Sequence, residues 1–476
     1  MEMNKKPISA ILAAAMAFSM AACSGQTTSS TSQTSSASTG SNQSGDKTVV
    51  EIWTNDRHDL DYVKSKIEEF NATNPDNIEI QQTVVTDDYF NMLTMARSSG
   101  TAPDLAFLNG GASGFDLKLF ADSGIVQPLN SFIDSAPEEL ERNTDCSKHI
   151  FEGLNALDGN IYWIPTVKRS ATCVIYNKTL TEEAGMTEFP TTLDGMVELA
   201  EKISENGNGK YYGYASTSSD PFVRCFMGVS ERSGQNQFGY DYVNGKFDFS
   251  GFKPVVEGFK KLFTGSGMLP GSATQQVDAM RAQFSEGTVG MWPNASQEAG
   301  VFTNQFPIDS FEWGVASMPS IDGEIHGAET AQPQKGLIML GDTDVPEEAW
   351  KVIEFFASED FIKGYIESGF ALPFSDYMME NTDLSKAGRI GDFGKNEYES
   401  VYPNPPTVTV EGENYKTVLI SAAMGERDID EAIQDLNTRY NQALERDIQM
   451  GKVKRLVIKD FDPLHPSEGT VEYLDK

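Results

Sequence analysis

Alternating apolar and polar positions predict strands in the first part of the folded chain. Residues 49–53 and 78–84 alternate in this way, and residues 105–108 form a short apolar run. Both patterns are typical of β-strands. Apolar residues at helical spacing predict helices that begin near Leu60 and Tyr89. The order strand–helix–strand–helix–strand predicts an α/β fold with a parallel, doubly wound sheet.

Two polar loops follow strands of this predicted sheet. Residues 54–58 come after the first strand, and residues 109–114 come after the third. Sheets of this kind bind ligands at the carboxyl ends of their strands. We therefore expect residues of both loops to contact a ligand.

Capping and turn signals predict further elements along the chain. Asp59 and Asp428 each precede an apolar helical stripe, as helix-capping residues do. Pro346 is placed to open another helix, and Asp158-Gly159 predicts a tight turn. Residues 452–460 are rich in Lys and predict an extra edge strand near the end of the chain.

The first 22 residues have the parts of a secretory signal peptide. Two lysines precede an apolar run over residues 8–20, which ends in Ala21-Ala22-Cys23. Residues 20–23 resemble the bacterial lipoprotein box, which implies that Cys23 is lipidated. Ordinary cleavage near Ala22, with Cys23 incidental, is the alternative.

Residues 23–47 are predicted to be a tether behind that cysteine. Residues 24–45 contain only Ser, Thr, Gln, Gly and Asn apart from Ala37, so this stretch has nothing to bury. A flexible segment directly after a lipidated residue would lift the folded part off a membrane. The predicted location is therefore the outer face of the cell membrane, and the anchor indicates a Gram-positive type of surface.

Composition excludes several classes of function. The 476 residues carry a formal net charge of −33, whereas binding to nucleic acid requires an excess of Lys and Arg. Four His and four Cys are too few to favour a Cys/His zinc scaffold, and we predict neither a metal nor a cofactor. Cys173 lies in an apolar run and is predicted to be buried, while a disulfide between Cys146 and Cys225 remains open.

Short segments in a fixed order resemble one family, the extracellular solute-binding proteins of the sugar-binding, maltose-binding-protein-like class. These are the lipoprotein components of ABC importers. The segments that carry the resemblance are residues 99–104, 120–129, 157–162, 164–165, 175–178, 284–291, 313–319 and 349–356. Each segment alone is weakly specific, whereas their common order is strongly specific.

The resemblance implies a periplasmic-binding-protein-like fold with two discontinuous lobes and strands that cross between them. Lobe I would comprise residues 48–165 and 320–368, and lobe II residues 166–319 and 369–445. The crossing strands would lie near residues 164–170, 317–320 and 369–373. Residues 446–476 extend beyond the family's usual final helix, and the sequence offers no function for them.

A sugar ligand needs aromatic rings against its apolar faces, and amides, carboxylates or Arg at its hydroxyls. The strand-end loops and the family resemblance together select such residues. The predicted ligand-binding residues are Trp53, Asn55, Asp56, Arg57, Asn109, Gly110, Arg169, Ser170, Asp220, Phe222, Trp292, Asn294 and Tyr415. Structural roles are the alternatives: Phe222 as a core ring, Trp53 as a packing residue and Arg169 as the partner of a surface acid. The direction of Trp292 remains open.

The function implied by the resemblance is binding without catalysis. A monomeric, lipid-anchored protein would capture a mono- or oligosaccharide between its lobes and deliver it to the permease subunits of an ABC transporter. A non-sugar ligand, such as a peptide, a polyamine or a phosphorylated compound, is the first alternative, because Arg57 and Arg169 suit an anion. A secreted glycoside hydrolase with two carboxylates is the distant alternative.

Overall fold

A computed structural model describes residues 47–112, 114–217, 222–394, 396 and 398–474. The predicted signal peptide, Cys23, the tether up to residue 46 and Asp220 lie outside the described residues. In the described part of the chain, no helix combines the length and apolar character that crossing a bilayer requires.

The strands are short and distributed along the whole described chain. In chain order they are β1 (Thr48–Thr54), β2 (Ile78–Val84), β3 (Leu105–Leu108), β4 (Ala156–Leu157), β5 (Asn160–Ile161), β6 (Val167–Arg169), β7 (Cys173–Asn177), β8 (Tyr212–Tyr214), β9 (Tyr240–Asp241), β10 (Lys246–Phe247), β11 (Val289–Asn294), β12 (Trp313–Ser317), β13 (Glu329–Thr330), β14 (Gln332–Gln334), β15 (Gly336–Met339), β16 (Leu372–Pro373), β17 (Glu399–Ser400), β18 (Arg455–Lys459) and β19 (Thr470–Leu474).

Helices occupy most of the intervals between these strands. In chain order they are α1 (Leu60–Thr73), α2 (Tyr89–Ser99), α3 (Leu117–Asp122), α4 (Asn130–Ile133), α5 (Glu138–Thr144), α6 (Lys178–Glu183), α7 (Leu193–Gly207), α8 (Gly228–Arg232), α9 (Phe252–Thr264), α10 (Val277–Ser285), α11 (Glu298–Asn304), α12 (Pro346–Phe356), α13 (Glu359–Glu367), α14 (Asp376–Asn381), α15 (Tyr415–Ala423) and α16 (Ile429–Gln449).

The first sheet contains the three strands predicted from alternation and from the short apolar run. Its order is β15-β3-β1-β2, with β1 parallel to β2 and β3, and with β15 antiparallel to β3. Neighbouring residues of β3 face different cores: Phe107 packs with one cluster and Ala106 with another. A sheet that is covered on both faces is typical of α/β proteins, so the predicted fold class is confirmed.

The second sheet has the order β12-β7-β11-β8 and mixes strand directions. Strand β7 is antiparallel to β11 and β12, whereas β11 is parallel to β8. Along β7, Val174 faces the cluster that includes α7, α9 and α16, and Ile175 faces a cluster around Trp313. This sheet is therefore also buried on both sides.

A small third sheet joins the segments that run between the two larger sheets. Strand β6 pairs antiparallel with both β14 and β16. The chain leaves the first sheet through β6 and enters the second at β7, and it returns through β14 directly into β15. Strand β6 lies within residues 164–170 and β16 within residues 369–373, two of the segments in which crossings are predicted.

Residues 320–331 lie between the segment predicted for the return crossing, residues 317–320, and strand β14. Ser320 exchanges backbone hydrogen bonds with residues next to helix α7, donating to Thr191 and accepting from Leu193. Further along, His326 donates its backbone N–H to Arg232 in α8. Ser320 and His326, which the sequence prediction assigns to lobe I, thus contact elements around the second sheet.

Residues 446–476 form more than an edge strand. Strands β18 and β19 pair antiparallel as a separate hairpin. Leu456 and Ile458 on β18 are buried in the core that lies beneath the second sheet. The predicted strand is present, and it is anchored to the fold through its apolar side chains.

The structure shows whether Cys146 and Cys225 form a disulfide. Cys146, Cys173 and Cys225 are buried, and none of them forms a disulfide within the described part of the chain. The sulfur of Cys225 lies 3.1 Å from the hydroxyl oxygen of Tyr214. Cys225 belongs to the core beneath the second sheet, whereas Cys146 belongs to a core of the first sheet. The possible disulfide between Cys146 and Cys225 is therefore absent.

Candidate functional site

Three of the predicted ligand contacts meet in one narrow cavity beside the third sheet. Asp56 lies in the loop after β1, Asn109 follows β3, and Arg169 ends β6. The cavity is also lined by residues that were not predicted as ligand contacts, namely His58, Lys168, Gln334, Tyr365, Phe370 and Ala371. The strand-end loops thus point where the topology of the first sheet suggests, toward the crossing strands.

A buried ammonium group holds the Asp56 side of the cavity. Lys335 Nζ lies 2.9 Å from Asp56 Oδ2 and 2.5 Å from Asp59 Oδ2. The side chains of Lys335 and Asp59 are only 2% and 1% exposed, and that of Asp56 is 14% exposed. Tyr365 donates its hydroxyl to Asp59 Oδ2 at 2.8 Å. The Lys335 ammonium also lies 4.4 Å from the ring centre of Phe107.

Asp59 therefore has a role that differs from the predicted one. It stands at the start of helix α1, but its side chain makes no capping hydrogen bond there. Its carboxylate instead pairs with Lys335 and accepts from Tyr365. Asp428 does cap its helix, accepting the backbone N–H of Glu431 at 3.0 Å.

Asn109 supports this group of charges from the neighbouring loop. Its Nδ2 atom lies 3.3 Å from Asp56 Oδ1, and its Oδ1 atom accepts the backbone N–H of Lys335 at 3.0 Å. Gly110 contacts the third sheet, donating its N–H to the carbonyl of Pro333 at 2.7 Å. A Cβ atom at residue 110 would lie 2.9 Å from that carbonyl oxygen, so only glycine fits this close approach.

These contacts determine the charge of Asp56. Burial raises the pKa of a carboxyl group, but the ammonium of Lys335, with His58 and the hydrogen bonds from Lys335 and Asn109, lowers the pKa of Asp56 below its ordinary value. Burial lowers the pKa of Lys335, and here the opposing charges of Asp56 and Asp59 raise it overall. Asp56 is therefore ionised at neutral pH and accepts hydrogen bonds without donating them.

Arg169 lies opposite with its guanidinium unoccupied. Among the described residues, the guanidinium has no hydrogen-bond or ion-pair partner, and its side chain is half-buried. Burial lowers the pKa of Arg169, partly offset by the charges of Asp56, Tyr365 and Glu298. The group stays cationic, because an Arg pKa lies far above neutrality. An unpaired guanidinium beside a cavity is available to donate hydrogen bonds to a ligand.

Lys168, next to Arg169, is occupied by a protein partner. Its Nζ atom lies 2.7 Å from Glu399 Oε2, and both side chains are largely buried. Glu399 Oε1 also accepts the backbone N–H of Ala171 at 2.8 Å. Glu399 thus holds the middle of strand β6 and the residue two positions after its end, and Arg169 is the cation of the strand without a protein partner among the described residues.

Ser170 and Asn294 stand behind Arg169 and bond to the protein. Ser170 and Ser296 exchange backbone-to-hydroxyl hydrogen bonds of 3.2 and 3.1 Å. Asn294 donates to Glu298 Oε1 at 3.0 Å, and Glu298 forms a two-pronged pair with Arg281 at 3.0 and 2.7 Å. These groups are buried supports on the side of the second sheet.

The predicted aromatic contacts are placed in the cores. Phe222 is fully buried, with its ring centre 5.2 Å from that of Tyr415, and both pack in the core beneath the second sheet. Trp292 is 1% exposed and meets the ring of Phe302 edge-on. Large rings in strands and helices bury more apolar area in a core than in a narrow polar cavity, which is the physical reason for this placement.

The remaining predicted residues of the first loop lie at the margin. Trp53 is half-buried against the first sheet's outer core, and its carbonyl accepts the hydroxyl of Tyr89 at 2.9 Å. Asn55 is half-buried and Arg57 is exposed, and neither lines the cavity. The cavity's own aromatic residues, Tyr365 and Phe370, come from the region around α13, where no local motif marks them.

Comparison with known proteins identifies a family that matches most of the described chain. The family described as bacterial extracellular solute-binding protein matches residues 56–363. A candidate binding protein of Brucella abortus (strain 2308) is 26% identical over 323 residues, covering 66% of this chain and 74% of that protein. The family match includes Asp56, Asn109, Arg169 and Lys335.

Solved structures share the fold at low identity. The sugar-binding protein MalE of Xanthomonas citri matches with a TM-score of 0.65 and 18% identity, covering 85% of this chain and 99% of that chain. An ABC transporter solute-binding protein of Thermotoga lettingae, bound with α-D-tagatose, matches with a TM-score of 0.63 and 20% identity, covering 84% and 100%. At these identities the likeness shows the fold alone.

Proposed function

Because the chain belongs to the bacterial extracellular solute-binding proteins, we propose that it captures a neutral carbohydrate and delivers it to the permease of an ABC transporter. The observation that carries the proposal is that ionised Asp56 and the unpaired guanidinium of Arg169 line the same small cavity, which has a volume of about 10 Å³ in this structure. One group accepts and the other donates hydrogen bonds, as neighbouring sugar hydroxyls require. The sugar-binding names of the structural neighbours support the same ligand class.

The balance of charges favours a neutral ligand. Asp56 and Asp59 carry two negative charges, and Lys335 and Arg169 carry two positive charges. Lys168 is neutralised by Glu399. A charged ligand would bring an uncompensated charge into a partly desolvated site, which is costly. Hydroxyl groups add no net charge.

An anionic ligand is the second candidate, and one observation favours it. The guanidinium of Arg169 is unpaired among the described residues, and Arg binds carboxylate and phosphate through two parallel hydrogen bonds. A hydrolase is less well supported. Of the described residues that line the cavity, Asp56 is the only carboxylate, and its lowered pKa removes the proton that a general acid must supply.

The two large sheets are proposed to be the cores of two lobes. Strands β6 and β14 would be the hinge, because β6 leads from the first sheet to β7 of the second and β14 leads back into β15. Strand β16 pairs with β6, but the helix that follows it, α14, packs in the core of the first sheet. On this proposal residues 320–331 belong with lobe II. Closure about these strands would bring the second sheet's side toward Asp56 and enclose the ligand.

The N-terminal segment is proposed to anchor the protein at the outer face of the membrane. Cys23 in the box formed by residues 20–23 would carry the lipid, and residues 24–45 would be the tether. Metabolic labelling with a radioactive fatty acid tests this directly. Label is expected in the full chain and absent from a Cys23→Ser variant.

The ligand class is tested by isothermal titration of the protein against neutral oligosaccharides, uronic acids and sugar phosphates. Binding is expected from at least one neutral sugar. An Arg169→Met variant should bind that sugar about 10- to 100-fold more weakly, since a hydrogen bond from a charged group contributes about 1.5–3 kcal/mol.

The matched control is Arg427→Met, which removes a surface guanidinium paired with Glu413. It should leave the affinity unchanged. Binding confined to uronic acids or sugar phosphates would favour the anionic alternative. No binding across the panel by a folded protein would count against the proposed function.

A further inference from the structure

Lys335 lies in the chain directly between the third sheet and the first sheet. It is the single residue between β14 and β15. Its φ of 59° lies in the left-handed region, which a residue with a Cβ atom rarely adopts. Both of its backbone polar groups are occupied: its N–H donates to Asn109 Oδ1 at 3.0 Å, and its carbonyl accepts the hydroxyl of Thr166 at 3.0 Å. Backbone strain of this kind persists only where surrounding contacts hold it, and it is common at functional sites.

The side chain of Lys335 is buried where an ammonium group is costly. Two carboxylates, Asp56 and Asp59, and the face of Phe107 compensate for that cost. An apolar side chain at residue 335 would leave the two carboxylates without a counter-charge. The arrangement therefore depends on the positive charge of this one residue.

The contacts of Lys335 determine how the carboxylate of Asp56 faces the cavity. Asp59 is almost completely buried and bonds to Tyr365, whereas Asp56 is partly exposed and lines the cavity. Lys335 and Asn109 hold the Asp56 carboxylate from the protein side. The rest of that carboxylate is left for the cavity.

The strand that precedes Lys335 leads to the other polar group of the site. In β14, Gln332 pairs with Arg169, and Gln334 pairs with Val167 in β6. A movement of β14 relative to the first sheet would carry Lys335 with it and so displace Asp56. On these grounds we propose that Lys335 is the positioning residue of the site, which directs Asp56 toward the ligand and links it to the hinge strand next to Arg169. The part of this inference that concerns the ligand rests on the proposed function.

The experiment is carbon-13 NMR of protein labelled at the aspartate carboxyl carbon, with the Asp56 signal assigned by its loss in Asp56→Asn. Lys335→Met is expected to raise the half-titration pH of Asp56 by about one unit or more, because the nearest cation is removed. Lys335→Arg should restore most of the wild-type titration. Asp59→Asn should shift the Asp56 titration downward, because the competing carboxylate is gone and Lys335 pairs with Asp56 alone.

Opposite shifts in Lys335→Met and Asp59→Asn cannot arise from a general loss of stability. Leu436→Ala, in the core beneath the second sheet, is the control that destabilises the fold and should leave the Asp56 titration unchanged. If Lys335→Met does not fold, Asp59→Asn decides the matter alone. An unchanged Asp56 titration in the folded variants would overturn the proposal.

The affinity for a sugar is the second readout. The probes are maltose and D-tagatose. For a sugar that the wild type binds, the affinity of Lys335→Met should be at least 10-fold lower than that of the wild type, and the affinity of Leu436→Ala should equal it. Failure of the wild type to bind these two sugars and every other neutral sugar of the titration panel speaks against the proposed function, while the NMR titration still tests the position of Asp56. Equal affinity in Lys335→Met and the wild type would refute the positioning role.

Discussion

A chain that ends at Gly451 is expected to be much less stable than the full chain, although it retains both large sheets. The deletion removes β18 and β19, and with them Leu456 and Ile458, which are 2% and 3% exposed. Burial of a side chain of this size contributes about 1.5–3 kcal/mol, so the pair contributes about 3–6 kcal/mol to the free energy of unfolding. That amount is a large fraction of the total stability of an ordinary protein.

Hydrogen bonds that the hairpin satisfies add to this effect. The buried hydroxyl of Tyr240 donates to the carbonyl of Leu456 at 2.7 Å, and the backbone N–H of Ala328 donates to the carbonyl of Pro463 at 2.7 Å. Without the hairpin these donors lose their partners, and the core beneath the second sheet is opened to water. The extension is therefore part of the fold, although it extends beyond the segments that carry the family resemblance.

Urea unfolding followed by tryptophan fluorescence measures the effect. The chain that ends at Leu474 is the length control and should match the full chain. Leu456→Ala/Ile458→Ala in the full chain should reproduce most of the loss caused by truncation. A truncated chain with the same unfolding midpoint as the full chain would show that the hairpin is dispensable.

Stability is also expected to fall as the pH rises from about 6 to 8.5. Burial raises the pKa of Glu231 to about 7 and that of Glu329 to about 8. Glu329 faces Arg232 and Asn396, which favour its charged form, and Glu399 and Glu231, which oppose it. Glu231 accepts hydrogen bonds from Thr330 and Gln237.

The direction of the pH effect follows from the proton balance. Between the unfolded pKa near 4.5 and the raised folded values, the folded chain binds more protons than the unfolded chain. The stabilisation is complete below the unfolded pKa and is lost as the pH rises through about 7 and about 8. The loss from these two groups between pH 6 and 8.5 is expected to be about 4 kcal/mol, since one pKa unit corresponds to about 1.4 kcal/mol.

A Glu329→Gln variant isolates this contribution. The amide oxygen still accepts from Arg232 and Asn396, while the charge is removed. Urea unfolding at pH 6 and at pH 8.5 should show a smaller decrease in the variant than in the wild type. Equal decreases in the two proteins would contradict the prediction. The half-buried His149 affects both proteins alike, so the difference between them reports on Glu329.

Strands β1, β2 and β3 of the first sheet could be predicted from the sequence because their signals are local, whereas β15 of the same sheet was not predicted. Strand β1 is marked by apolar residues two positions apart, and helix α1 by apolar residues three to four positions apart. Residues at these spacings lie on one face of the element because of the geometry of the backbone. The capping role of Asp428 is equally local and was predicted correctly. Asp59 carries the same local signal, and its distant partner Tyr365 overrides it.

The aromatic candidates show a second limit. Phe222 and Trp292 have the chemistry of sugar-stacking residues, but the same rings are also the best core-filling residues. Composition cannot separate the two roles, because it contains no information on which side of a strand or helix faces another element. Packing decided this for both residues.

The sequence by itself determined the α/β class, the order of the elements, the family resemblance and three residues of the cavity, Asp56, Asn109 and Arg169. The tertiary structure alone decided which charges pair: Lys335 reaches Asp56 across 279 positions in the chain, and Tyr365 reaches Asp59 across 306. The physical reason is that secondary structure follows from near neighbours. The charge and direction of a binding group follow instead from burial and from counter-charges that only the folded chain brings within 3 Å.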